Sequence, residues 1–99
     1  MQSRVVQNEG IISIQGAVTF ETVAAIQKEI TCLLHKNESL SESKIDLAEV
    51  SVVNSAALGL LVELKKKAVM KHKAITFLNA PERLLSLAQV CGVAIWLGW

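Results

Sequence analysis

Asn54 and Ser55 are the residues of this chain whose types and position could do chemistry. They stand in the stretch SVVNSAALGLLVEL, between a β-branched segment and a leucine-rich run in which Glu63 is the only charged residue. A side-chain oxygen at such a point can cap the first unpaired N–H groups of a helix. If Ser55 is the cap, its hydroxyl has this structural role and indicates no further function. If Asn54 is the cap, the Ser55 hydroxyl is displayed at a helix N-terminus, where it could accept a phosphate or contact a partner.

Catalytic and metal-binding patterns are absent from the sequence. No serine has a nucleophile-elbow context, no glycine-rich phosphate loop occurs, and no carboxylate pair suggests acid–base work. His35 and His72 are solitary, and neither Cys32 nor Cys91 sits in a ligand cluster with zinc spacing. We therefore expect a protein that is not an enzyme and holds no metal or cofactor. Both cysteines are expected to be buried free thiols, with a disulfide as the alternative.

Strands alternate with helices along the chain and position the Asn54–Ser55 step. Two short strands, Arg4–Gln7 and Ile11–Gln15, flank an Asn-Glu-Gly turn signal. The next expected element is a helix through Val23, Ile26, Ile30 and Leu33/Leu34, which Thr19 can cap. A polar loop NESLSES, a buried strand KIDLAEVSVV with a short irregular exit, a helix Ser55–Lys71 and a strand Ala74–Leu78 follow. A third helix is opened by Asn79, Pro81 and Glu82 and ended by Gly92, and VAIWLGW could add a last short strand. This order predicts an α/β fold with a mixed sheet and crossover helices.

The second helix carries more apolar side chain than one sheet-facing side needs. The stripe expected against the sheet contains Leu58, Leu61, Val62, Lys65, Ala68 and Val69. The apolar residues outside that stripe are Ala56, Ala57, Leu60 and Leu64. Either neighbouring helices bury these flanks, or the flanks form a docking surface that another protein can approach closely.

Two features lie outside the Asn54–Ser55 step. The basic run Lys65–Lys67, with Lys71 and Lys73, is expected to be a solvated helix end that suits the helix dipole, with a patch for an acidic partner as the alternative. One of the tryptophans Trp96 and Trp99 is expected to be buried, and Trp99 is a candidate for an exposed interface anchor.

Length and composition limit the function classes. The chain has 99 residues, so we expect a single domain, 1–99, with one ordinary core. The net charge of +1 gives no electrostatic case for nucleic acid or an anionic membrane. No stretch reaches about 18 uninterrupted apolar residues, so no membrane insertion is expected. The N-terminal MQSRVVQNEG alternates in polarity and forms no signal core, so we expect a cytoplasmic protein.

The order of the elements and the segment after Lys44 resemble the STAS domain family. The strand KIDLAEVSVV, a polar–hydroxyl step, AALGLLVEL on a helix, a further strand and a final helix match that family over essentially the whole chain. STAS domains occur in bacterial anti-sigma factor antagonists, in anion transporter tails and in the small cytoplasmic subunit of the Mla phospholipid-trafficking ABC transporter. The resemblance implies a mixed sheet of four to five strands with about three helices packed mainly on one face.

The short motif at the step distinguishes these relatives. The antagonists typically read Asp-Ser-Ser/Thr-Gly with the phosphate on the second hydroxyl, but that position is Ala56 here and Asn54 replaces the aspartate. The Mla-type subunit resembles Asp-Thr-Gly-Gly-Leu-Ala, with one hydroxyl in the first slot. Ser55 fills that slot, and Ala56 and Ala57 stand where the glycines would be.

The resemblance therefore implies one function and an alternative. The first is an accessory subunit that binds and supports the ATPase of an Mla-type transporter and lies at the inner membrane through that partner. Its expected contact surface is the start of the second helix, with Asn54, Ser55, Ala56, Ala57, Leu60 and Leu64, together with part of the third helix. The alternative is an anti-sigma factor antagonist in which a kinase anti-sigma factor phosphorylates Ser55, and the added negative charge breaks the complex.

Overall fold

The computed structural model describes residues 3–36 and 42–99 of the chain. Within these residues, five strands form one mixed sheet and three helices accompany it. The strands are β1 (Ser3–Asn8), β2 (Ile11–Val18), β3 (Glu42–Asp46), β4 (Val50–Val53) and β5 (Ala74–Leu78), and the helices are α1 (Val23–Lys36), α2 (Ser55–Met70) and α3 (Glu82–Val90). The predicted α/β architecture is confirmed. Of the predicted polar loop, residues 37–41 lie outside the described residues, and Glu42 and Ser43 begin β3.

The sheet begins with an antiparallel hairpin and continues in parallel. β1 pairs antiparallel with β2 across a turn in which Glu9 and Gly10 both have positive φ, 51° and 82°. β2 then pairs in parallel with β3 through its first half and with β4 through its second half, and β3 pairs in parallel with β5. Helices connect the parallel strands, as crossover connections require.

The predicted strand KIDLAEVSVV is divided into β3 and β4. At the break, the Asp46 carboxylate accepts a hydrogen bond from the Ala48 N–H at 2.9 Å, and Val50 N–H donates to the Leu47 carbonyl at 3.1 Å. An Asp side chain that bonds the backbone two residues on stabilises a local turn at the expense of the ladder. The irregularity therefore lies inside the predicted strand, and its exit at Val53 is regular.

The core fills the space between one face of the sheet and the three helices. Side chains of the strands alternate between buried and accessible, as in Ile75, Thr76 and Phe77 of β5. The largest fully buried side chains are Ile12, Ile14, Ile26, Ile30, Ile45, Leu47, Leu61, Leu64 and Leu84. This alternation is typical of a sheet whose helices cover a single face.

The predicted sheet-facing stripe of α2 is wrong at Val69, which is 54% exposed. The flank residues Leu60 and Leu64 are 3% and 1% exposed, as expected if neighbouring helices bury the flanks. Leu64 lines a cavity with Leu34 of α1, Leu60 lines another with Leu84 of α3, and α2 contacts both helices. Because α2 packs between two helices, its apolar sector must be wider than one sheet contact requires.

Predictions about the cysteines and the C-terminus also need correction. Cys32 and Cys91 are free, as predicted, but both are exposed. The segment VAIWLGW forms turns instead of a strand, with Trp99 N–H donating to the Ala94 carbonyl at 2.8 Å. Trp99 packs edge-on against Phe77, with ring centroids 6.3 Å apart, so it is not the exposed tryptophan.

The start of α3 differs from the prediction as well. Its N-cap is Pro81, and no side chain bonds the free N–H groups there. Asn79 instead has a positive φ of 56°, and its side-chain amide donates to the Asp46 carboxylate at 3.1 Å. Asn79 therefore ties the end of β5 to the turn after β3, which draws it away from the helix start.

Candidate partner-binding site

Two connections leave the same edge of the sheet. β2 and β4 are parallel neighbours, and their last residues, Val18 and Val53, are paired. The chain then enters α1 through Thr19–Thr22 and α2 through Asn54. Because adjacent strands lie about 4.8 Å apart, the two connections begin side by side. In open α/β sheets, the carboxyl ends of parallel strands are where ligands usually bind.

Asn54 is the cap of α2, which settles the alternative left open by the sequence. Its backbone is extended, with φ −140° and ψ −168°, and its side-chain oxygen accepts a hydrogen bond from the Ala56 N–H at 2.9 Å. Its carbonyl accepts a second bond, from the Ala57 N–H at 3.0 Å. Ser55 is exposed, and its hydroxyl makes no hydrogen bond to another described residue.

The electrostatic environment of Ser55 favours negative charge. The first turn of α2 carries no acidic side chain. The N-terminus of a helix carries roughly half a positive elementary charge on N–H groups that point outward. A phosphate on Ser55, or a carboxylate of a partner placed beside it, would therefore be stabilised there.

The connection before α1 is held by threonine side chains. The Thr22 hydroxyl accepts a hydrogen bond from the Thr19 N–H at 3.0 Å and donates to the Ala17 carbonyl at 2.9 Å. The Thr19 hydroxyl donates to the Glu21 carboxylate at 2.7 Å, which lowers the pKa of Glu21 below its ordinary value of 4.5. The predicted side-chain cap by Thr19 is wrong, since its backbone carbonyl is the group that bonds the Val23 N–H. Between these threonines, Phe20 is 69% exposed.

The predicted contact residues fall into two groups in the structure. Ser55 is exposed and Asn54 is half-buried, so both are accessible to a partner. The buried group consists of Ala56, Ala57, Leu60 and Leu64. In this fold, those four side chains belong to the core, so the inference of a surplus apolar docking face is not supported by their exposure.

Two accessible residues were not singled out from the sequence. Phe20 could have been noticed as an aromatic residue between two threonines where a strand passes into a helix. Gly59 follows Ser55 by one turn of α2, and a Cβ built on it would meet no atom within 4 Å. A glycine inside a helix costs about 1 kcal/mol relative to alanine, which is itself a signal that something other than helix stability selects it. We call Phe20, Asn54, Ser55 and Gly59 the carboxyl-edge surface.

The chemistry available at this surface is recognition. It offers one hydroxyl, one exposed aromatic ring, the N–H groups of a helix start and a position without a side chain. Among the described residues, no three histidine, cysteine, aspartate or glutamate side chains are placed to hold a metal ion. Within residues 3–36 and 42–99, every helix is too short or too polar to cross a membrane.

The fold and this surface define a small α/β domain that presents a helix start at the carboxyl edge of its sheet. A family model described as "Mlab, STAS domain" matches residues 1–98. The chain therefore belongs to the STAS domain family.

Solved structures of anti-sigma factor antagonists share this fold. The unphosphorylated form of SpoIIAA superposes with a TM-score of 0.72 at 14% identity, covering 96% of this chain and 84% of that one. The phosphorylated form of SpoIIAA, a Bacillus cell fate determinant, gives 0.68 at 14% identity, covering 96% and 87%. An antagonist from Mycobacterium paratuberculosis gives 0.64 at 18% identity, covering 93% and 80%. No curated protein matches this chain.

Proposed function

We propose that this chain is a non-catalytic binding module that docks the ATPase of an Mla-type phospholipid ABC transporter through its carboxyl-edge surface. The observation that carries the proposal is the exposed Ser55 hydroxyl at the start of α2, left unused because Asn54 supplies the cap. The description of the matching family model and the single hydroxyl followed by Ala56 and Ala57 support the transporter partner. In this proposal the protein is cytoplasmic and reaches the inner membrane through the ATPase.

Each part of the surface has a physical role in such docking. Phe20 supplies an aromatic anchor of the type enriched in interface hot spots. Ser55 and the first N–H groups of α2 supply hydrogen bonds that orient the partner. Gly59 lets a partner backbone approach the helix axis more closely than any other residue would permit.

The alternative is an anti-sigma factor antagonist controlled by phosphorylation of Ser55. The exposure of the Ser55 hydroxyl favours it, since a kinase must reach the acceptor. Ala56 has no hydroxyl and is only 8% exposed, so Ser55 is the acceptor that this proposal requires. A phosphate adds about −1.5 to −2 charges at neutral pH and would act by repelling the partner surface, because the helix start itself tolerates negative charge.

Co-purification with a tagged chain, followed by intact-mass measurement, tests both functions. We expect an ABC ATPase to be recovered with the wild-type chain and lost with Ser55→Glu and with Gly59→Gln. Thr76→Glu is the matched control, because Thr76 is an exposed hydroxyl residue in β5 on the face of the sheet away from the helices. Leu60 is unsuitable for this test, since a polar residue at that buried position would unfold the chain.

The outcomes separate the two functions. Recovery of a kinase together with a phosphorylated fraction of the chain, absent in Ser55→Ala, would support the antagonist and contradict the transporter role. An ATPase that binds wild type and both variants equally would show that the carboxyl-edge surface is not the docking site. Circular dichroism on each variant confirms that losses of binding are not losses of folding.

A further inference from the structure

A second candidate site lies at the opposite end of α2. Its floor is apolar and is formed by Leu64, Ala68 and Ile75. Lysines surround it: Lys67 and Lys71 from the last turns of α2, and Lys73 just before β5. We call this site the basic pocket. Lys67 follows Ser55 by twelve positions, so at 1.5 Å per helical residue the two sites are about 18 Å apart or more.

Three lysines line the basic pocket. No carboxylate is among the described residues that line it. Neither Lys67 nor Lys71 forms an ion pair or a side-chain hydrogen bond with another described residue. The end of a helix carries roughly half a negative elementary charge, which the lysine ammonium groups outweigh. The side of the rim formed by Lys67 and Lys71 is therefore positive.

The volume of the basic pocket limits what can enter it. The cavity measures about 60 Å³ and is open to solvent on one side. A cavity of about 150 Å³ accommodates benzene, so this one has room for the end of a single aliphatic side chain and not for an acyl chain. The negatively charged groups of the occupant must therefore lie outside the cavity, next to the lysines.

We infer that the basic pocket binds an acidic peptide segment of a partner protein that inserts one aliphatic side chain between Leu64, Ala68 and Ile75. Acidic residues on either side of that anchor contact Lys67 and Lys71. Electrostatic complementarity of this kind speeds encounter and selects against basic segments. The inference is independent of the proposed function, because it uses the other end of α2 and does not require an ATPase.

Fluorescence anisotropy with a short dye-labelled peptide, in which one leucine is flanked by glutamates, tests the inference. We expect the double variant Lys67→Glu/Lys71→Glu to weaken binding by about tenfold or more, since two attractive contacts become repulsive. The control is Lys28→Glu/Lys66→Glu, which makes the same change of net charge at exposed lysines outside the pocket lining. The control is expected to stay within about threefold of wild type at physiological salt.

Three further comparisons make the result decisive. Replacing the leucine of the peptide by serine, or filling the cavity with Ala68→Leu, is expected to remove most of the binding while charge is unchanged. Ser55→Glu is expected to bind the peptide as wild type does. Thermal unfolding of each variant excludes misfolding, and the two lysine variants keep the test valid if Ala68→Leu does not fold.

Four results would overturn the inference. These are no binding at millimolar peptide, equal loss in the control variant, binding that is indifferent to the leucine, and preferential binding to vesicles of phosphatidylglycerol that the same lysine variants abolish. The last result would assign the site to a membrane surface instead of a peptide.

Discussion

At the carboxyl edge of the sheet, the chain enters α1 and α2 by two differently built connections. Before α1, the hydroxyls of Thr19 and Thr22 are both engaged within the loop, and Thr22 is buried. Before α2, a single side chain, Asn54, bonds the helix start, and the neighbouring hydroxyl of Ser55 makes no such bond. Both connections begin at paired residues of parallel strands, so their difference comes from side chains and not from topology.

This difference assigns separate tasks to the two connections. A loop whose polar groups bond one another is rigid, and the first connection therefore holds Phe20 at a fixed position on the surface. The second connection contains a hydroxyl without an internal partner, that of Ser55. Such a hydroxyl must form its hydrogen bonds with water or with another molecule. The following four substitutions test this contrast, from the largest expected effect on the free energy of unfolding to the smallest.

Thr22→Val is expected to destabilise the chain by about 2 kcal/mol. The valine keeps the shape of the side chain but leaves the buried Thr19 N–H without its acceptor. Urea denaturation measures the change. Thr76→Val, at an exposed position, is expected to stay within about 0.5 kcal/mol of wild type. Equal effects at both positions would mean that the threonine bonds do not brace the loop.

Asn54→Ala is expected to cost about 1 kcal/mol, the usual value for loss of a helix cap. Asn54→Asp keeps a side-chain oxygen for the Ala56 N–H and is expected to restore most of that stability. The same denaturation experiment compares the two variants. If Asn54→Ala is as stable as wild type and Ser55→Ala becomes destabilising in that background, Ser55 has replaced Asn54 as the cap.

Gly59→Ala is expected to raise the free energy of unfolding by about 0.5 to 1 kcal/mol, because alanine is the better helix former and the added Cβ meets no atom. Thermal denaturation measures this gain, and co-purification of the same variant shows whether partner binding falls. A variant that is more stable and binds normally would remove Gly59 from the carboxyl-edge surface.

The Thr19–Glu21 bond is expected to give the smallest effect, visible as a dependence on pH. Since this bond lowers the pKa of Glu21 in the folded chain, its contribution is present above the unfolded value near 4.5 and is lost as pH falls through the lower folded value. Glu21 is fully exposed, so the contribution is small. The difference in stability between wild type and Glu21→Gln, measured at neutral pH and again in acid, is expected to shrink in acid; a constant difference would contradict the assignment.

The element order was predictable from the sequence because its signals are local. Strand Ala74–Leu78 and the start of α2 at Ser55 were placed correctly from β-branched runs and a polar step. Gly92 ends α3 with a positive φ of 76°, as its type suggests. Those signals depend on neighbouring residues, which a single sequence contains.

What could not be predicted depends on packing between distant elements. Leu60 lines a cavity with Leu84 of α3 and Leu64 lines another with Leu34 of α1, and no periodicity within α2 decides between burial by neighbouring helices and an exposed docking surface. The bond from Asn79 to Asp46 joins residues far apart in the chain, so Asn79 was expected to serve the nearer helix. Of the site, Asn54 and Ser55 were found because a cap is local, whereas the exposure of Phe20 and Gly59 is a property of the folded surface.

The exposure of Cys32 and Cys91 has a practical consequence for every experiment on this protein. Accessible thiols, one in α1 and one directly after α3, can be oxidised in air to disulfides that join two or more molecules. A dimer or a ladder of larger species seen without reductant would then record covalent cross-linking and not self-association. The same thiols accept maleimide dyes without unfolding the chain, so each of the single variants Cys32→Ser and Cys91→Ser retains one defined labelling position.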